Sequence, residues 1–104
     1  MDKTIKEKVY KLLKEIPYGK VVTYGDIAER LGNRKLARVV GNILHQNTDG
    51  IVFPCYKVVN SKGQLSKAYA FGGIDAQEER LRKEGIKVVE HVVDLKKYRF
   101  SYLK

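Results

Sequence analysis

The sequence is short of several things, and each shortage excludes a class. It has one cysteine, Cys55, in 104 residues, which rules out an intrachain disulfide framework and suits a reducing, cytoplasmic setting. One Cys and two widely separated His, His45 and His91, make a poor ligand set, so no metal and no other cofactor is expected. No apolar run approaches the roughly 18 residues of a membrane span, and residues 1–16 are too charged for a signal peptide. Internal repeats, low-complexity tracts and linkers are missing too, so residues 1–104 are expected to form a single domain. Acidic side chains are scarce beside basic ones: 12 Asp+Glu stand against 21 Lys+Arg, a formal net charge of +9. What is present is 43% hydrophobic residues, enough for one core. A basic surface attracts polyanions, nucleic acid above all, although the same lysines could serve as a solvated coat.

The apolar periodicity then sets out the elements. Ile5, Val9, Leu12, Leu13 and Ile16 recur at helical spacing within residues 3–16. Pro17 stops that helix, because it lacks an amide donor and restricts the residue before it. After the turn Tyr18-Gly19-Lys20 and a short extended Val21-Val22, Thr23 is placed to cap a helix over about 24–31, with Asp26 three residues on. Gly32 ends that helix and Asn33 caps a third, over about 34–46. Lys57-Val58-Val59 and Gln64-Leu65 flank the turn Asn60-Ser61-Lys62-Gly63 and read as a hairpin. A helix over about 75–84 follows, with Asp75 and Glu78 spaced as a capping box and Gly85 as its stop. Short β-like runs occupy 86–93. Tyr98, Phe100 and Tyr102 then alternate with polar residues, as in a strand or an aromatic-rich coil.

The third helix separates its faces. Leu36, Val39, Val40, Ile43 and Leu44 form one apolar stripe, while Arg34, Arg38, Gly41 and His45 fall opposite, flanked by Lys35 and Asn42. It follows the preceding helix after a short glycine-containing turn, which is the helix-turn-helix pattern, and the second helix of that pattern is the one that reads DNA. The expected fold is therefore mixed α+β and mainly helical: a winged-helix-like domain with a helix-turn-helix and a small β-hairpin.

Cys55 sits between Pro54 and Tyr56, just past the basic helix. A lone Cys is most often a small buried hydrophobe. A free thiol is only about 3% thiolate at pH 7, so a nucleophilic Cys needs a neighbouring base or positive potential. The residues alone leave a structural thiol, a transferase nucleophile and a Cys-His hydrolase all open.

Several ordered motifs narrow this. The run from Ile16-Pro17-Tyr18-Gly19-Lys20 to Tyr24-Gly25-Asp26-Ile27-Ala28 resembles the start of the DNA-binding domain of 6-O-alkylguanine-DNA alkyltransferases. Ala37-Arg38-Val39-Val40-Gly41, Pro54-Cys55-Tyr56-Lys57-Val58-Val59 and Glu84-Gly85 are similar to later motifs of that family, at matching separations. The tail Val93-Asp94-Leu95-Lys96-Lys97-Tyr98-Arg99-Phe100 looks more like the alkyltransferase-like proteins, which bind alkylated DNA but carry Trp where the thiol would be.

The resemblance implies a base-flipping, single-turnover DNA-repair enzyme acting on double-stranded DNA that contains alkylated guanine. The basic helix would lie in the minor groove, with Gly41 allowing close approach and Arg34 and Asn42 beside it. Arg38 would fill the stack in place of the extruded guanine, and Tyr24 would help to rotate the nucleotide outward. Asn47 would brace the turn before the cysteine, and Ser61 and Tyr69 would line the guanine pocket. Cys55 would take the alkyl group, with Tyr56 and Glu84 moving its proton. The alternative is a non-catalytic sensor that binds the lesion and recruits a protein partner from another repair pathway. A monomer is expected, without the N-terminal domain of larger members or any metal site there.

The chain departs from the family pattern at Tyr56, where His is usual, and at Lys57, where Arg is usual. Neutral Tyr titrates near 10 and is a poor base, so an imidazole would be the better relay at neutral pH. The 68–73 loop is one residue longer than common forms, and Thr48 stands where proline often follows Asn.

Overall fold

A computed structural model describes residues 4–45, 54–66 and 72–102. In chain order the elements are α1 (Ile5–Lys14), β1 (Val22–Thr23), α2 (Tyr24–Arg30), α3 (Ala37–His45), β2 (Val58–Val59), α4 (Gly73–Lys83), β3 (Val88–Val89), β4 (Val92–Val93) and α5 (Leu95–Tyr98). Short 3-10 turns precede α3 at Arg34–Leu36 and β2 at Cys55–Lys57. The mainly helical α+β class expected from the sequence is the one observed.

Local chemistry sets the helix ends. Thr4 and Glu7 form a capping box at α1, as Thr23 and Asp26 do at α2. At the end of α2 the Gly32 amide donates to the Glu29 carbonyl and the Asn33 amide to that of Ala28, the paired bonds of a Schellman stop. Gly32, at φ +107°, occupies the backbone region that side chains disfavour. Gly85 ends α4 in the same way, with Ile86 donating to Leu81.

Four expectations need correction. The third helix opens as a 3-10 turn on the Asn33 cap and becomes α-helical only at Ala37, because the Asn33 side chain accepts from Lys35 and tightens the first turn. Val39 lies outside the apolar stripe, 38% exposed, while Val40 and Leu44 carry the buried face. No Asp75–Glu78 box forms: α4 starts two residues earlier, on Gly72, and Glu78 instead pairs with Arg82 and His91. The turn at 60–63 exists, but β2 pairs in parallel with β1, Val22 beside Val58 and Thr23 beside Val59. Gln64 turns away to bridge Val92, and the true hairpin is β3–β4. Gly63 docks the turn there: at φ +81° its amide carbonyl takes the Val93 N–H, and a Cβ would sit 2.2 Å from the Val93 carbonyl oxygen.

Strand alternation divides the interior in two. Val22 and Val58 face a cluster with Val9, Leu13, Ile27, Ala28, Val40, Leu44 and Cys55. Val21 and Val59 face the other side, with Leu65, Leu81, Ile86, Val88 and Val93. The tail closes over the first cluster as extended coil after α5. Its backbone pairs with Val21, Phe100 and Tyr102 pack edge to face at 5.1 Å, and the Tyr102 hydroxyl donates to the Leu12 carbonyl. The helix-turn-helix and the cysteine segment are thus two sides of one packed unit.

Candidate nucleic-acid interface and thiol site

α3 presents its polar side outward. Arg38 and Asn42 are exposed there, and Arg38 has no hydrogen bond or ion pair among the described residues. Arg34 is tied down: its guanidinium pairs with Glu29 at 3.0 Å and lies over Gly25, where an added Cβ would come within 3.1 Å of Nη2. At Gly41 an added Cβ would meet, among the described residues, only the Tyr24 ring, at 3.9 Å, an ordinary contact. Among the described residues nothing therefore requires glycine at position 41.

Tyr24, the first residue of α2, sits at the junction between this face and the thiol. It packs against the core cluster that contains Cys55. Burial raises its phenol above the ordinary tyrosine range; a hydrogen bond with Ser66 acts the other way, and the nearby Cys55 adds to the rise. Tyr10, on α1, is raised by burial and then by the same cysteine. Cys55 is 6% exposed, at the start of the 3-10 turn behind Pro54.

Beyond the cysteine the turn delivers Tyr56 and Lys57 to one carboxylate. The Tyr56 hydroxyl donates a short hydrogen bond to Glu84 Oε2, while Oε1 accepts from Lys57 Nζ at 3.0 Å and from the Gly19 amide at 2.9 Å. The Lys57 and Glu84 side chains are only 7% and 9% exposed. Lys57 also faces the carbonyls of Ile16 and Pro17, at 3.4 and 3.3 Å. The Tyr18 hydroxyl donates to the Lys83 carbonyl, so the loop before β1 is fastened to the end of α4.

Gln77, buried on α4, holds the cysteine segment from behind. Its amide nitrogen donates to the carbonyls of Tyr56 and Val58, and its oxygen accepts from the Ser66 amide. It thereby fixes the cysteine strand relative to the residue that bonds Tyr24.

The structure thus brings Tyr56 and Glu84 together and places Tyr24 beside Gly41 and the cysteine's cluster. Ser61 stays apart, exposed at the tip of its turn without a hydrogen bond among the described residues. Asn47 and Tyr69 lie outside the described residues. Sequence reasoning missed Gln77 and Ser66. Only Gln77 carried a signal, as a polar residue on the inward side of the α4 period. Among the described residues no three metal-ligating side chains cluster, and no helix is long and apolar enough to cross a membrane.

Residues 4–86 match the family described as "6-O-methylguanine DNA methyltransferase, DNA binding domain". The chain is 47% identical over 93 residues to a bifunctional methyltransferase/endonuclease of Picrophilus torridus, covering 89% of this chain but only 30% of that protein. It is 40% identical over 83 residues to alkyltransferase-like protein 1 of Schizosaccharomyces pombe, covering 80% of this chain and 77% of the relative. The structure of S. pombe Atl1 in complex with damaged DNA containing O6-carboxymethylguanine superposes with a TM-score of 0.85 at 34% identity, over 93% of this chain and 94% of that one.

Proposed function

Since the chain belongs to the 6-O-methylguanine DNA methyltransferase family through its DNA-binding domain, we propose that it binds alkylated guanine in duplex DNA, flips the base and transfers the alkyl group to Cys55. The observation that carries this reading is the retained thiol next to a hydroxyl–carboxylate pair: Cys55, then Tyr56 donating to Glu84. The α3 face lies in the minor groove. Gly41 admits the DNA backbone closely, and among the described residues an added Cβ there would meet only the Tyr24 ring. Arg34 and Asn42 flank it. Arg38 fills the gap left by the extruded base, and Tyr24 crowds the nucleotide outward. Flipping costs a few kcal/mol, which stacking of Arg38 and pocket contacts offset.

In the transfer step the sulfur electron pair forms the S–C bond to the alkyl carbon and the C–O6 bond breaks. Its electrons stay on the purine, which takes a proton from water, and the hydroxide so formed is neutralised by the proton delivered to Glu84. The thiol proton passes through water to the Tyr56 oxygen as the Tyr56 proton moves to Glu84. The thioether is stable, so one chain repairs one lesion. The protein acts as a monomer in the cytoplasm, on DNA, and needs no cofactor.

A second reading has its own support. The structural match covers 94% of Atl1, and Tyr56 is a weaker base than imidazole. On that reading the same site holds the lesion without reacting, and a repair-pathway protein is recruited.

Intact-protein mass spectrometry after mixing with O6-methylguanine DNA separates the two. Transfer adds one methyl to Cys55, and Cys55→Ser abolishes the adduct while lesion binding survives, since the hydroxyl is a far weaker nucleophile. Tight lesion binding by wild type with no adduct would establish the sensor instead.

A further inference from the structure

Tyr56 has a neighbour that the transfer route leaves unused. The Arg80 guanidinium lies over the Tyr56 ring, 5.5 Å from its centroid. Arg80 is one helical turn before Glu84 on α4, so a single helix supplies both the acceptor for the Tyr56 proton and a cation on the ring face. Both residues line an open groove of about 500 Å³ with Tyr18, Ala76, Glu79 and Lys83.

The charges around Tyr56 sort by partner. Glu84 is met by Lys57 at 3.0 Å. In the groove Glu79 and Lys83 pair with each other at 3.4 Å, both well exposed, so they nearly cancel. The neutral phenol of Tyr18 is committed to the Lys83 carbonyl. Arg80 has no carboxylate partner among the described residues, so its charge on the ring face is not offset by an ion pair there.

We propose that Arg80 is a positioning residue for Tyr56 and makes its phenol a more willing proton donor. The guanidinium attracts the negative charge that gathers on the ring as the proton leaves for Glu84. The same charge disfavours an imidazolium at position 56, so the surroundings here select a phenol and not the imidazole usual in the family. This inference rests on the transfer reading for its purpose, but its physical content can be measured without transfer.

The test places 3,5-difluorotyrosine, whose phenol titrates near neutrality, at position 56 of the full chain and follows its fluorine resonance with pH. Arg80→Gln should raise the midpoint by on the order of half a pH unit, and Arg80→Lys should restore it at least in part. A midpoint that ignores Arg80→Gln overturns the inference. In single-turnover assays at saturating lesion DNA, Arg80→Gln should slow methylation several-fold with affinity unchanged. Tyr56→His should gain less rate alone than when combined with Arg80→Gln, and the reverse order counts against the proposal. If wild type never accepts a methyl group, the transfer reading falls while the fluorine titration still decides the role of Arg80.

Discussion

Three donors converge on the Glu84 carboxylate, and two of them, Lys57 and the Gly19 amide, have nothing to do with moving a proton. Their work is structural. A buried ion pair that loses one partner typically costs about 3–5 kcal/mol, because the remaining charge stays buried and uncompensated. Glu84→Gln should therefore destabilise the fold by about 3 kcal/mol, leaving the buried Lys57 ammonium facing only neutral acceptors, among them the Ile16 and Pro17 carbonyls, and no countercharge. Adding Lys57→Met should recover much of the loss, and urea denaturation of the two single variants and the double would show it. Additive losses would mean the pair is not coupled. Tyr56→Phe, which removes one hydroxyl donor, is the cleaner probe of the proton route. Little of this was legible in the sequence. Glu84 stood out through a motif, but Lys57 read only as a retained charge, and the two meet because the 3-10 turn at 55–57 aims consecutive side chains at the same helix end, 28 residues beyond Tyr56.

α2 was readable at both ends because its caps are local: Thr23 sees Asp26 and Asn33 sees Ala28, each within one or two turns. What holds α2 to the rest was not readable. The Arg99 guanidinium reaches Asp26 from 73 residues away, with Nε 3.0 Å from Oδ2 and a second, shorter contact through Nη2. The parallel β1–β2 pair was missed for the same reason. Neither strand carries a turn to its partner, and only the folded core sets Val22 beside Val58. The Asp26 contact has a pH signature. Burial pushes its carboxyl up, but the bonds from Arg99 and Thr23 outweigh burial and hold it below the usual range. A carboxyl depressed in the folded state contributes stability above its unfolded pKa of about 3.9, and that contribution is lost as pH falls through the folded value. Arg99→Gln should thus cost about 1 kcal/mol at pH 7, discounted because Arg99 is half exposed. The gap from wild type should close as the pH falls through that depressed folded value. Thermal unfolding across pH checks this, and a constant gap would show that Arg99 contributes packing, not charge.

At the scale of the molecule, the +9 charge and the helix-turn-helix face combine into one expectation about DNA. Part of the cationic surface is already spent internally: Arg34 on Glu29, Lys57 on Glu84, Arg99 on Asp26. Lys35 and Arg38 have no carboxylate partner among the described residues and remain available at the reading helix. Binding should then fall steeply with salt and show little sequence preference, since phosphate neutralisation releases counterions and the minor groove is a degenerate code. Arg38 is the residue that separates a phosphate contact from a stack filler. A lost phosphate contact lowers the slope of log affinity against log salt by about 1 and weakens duplex and single strand alike. A lost stack filler leaves the slope nearly unchanged and weakens only a duplex from which a base has been extruded, because a single strand has no gap to fill. Arg38→Ala should behave as the second kind. Fluorescence anisotropy with lesion duplex, plain duplex and lesion single strand, over a salt series, resolves the cases. A slope reduced by about 1 with equal losses on all three would make Arg38 an ordinary phosphate contact and move the flipping role elsewhere on the face.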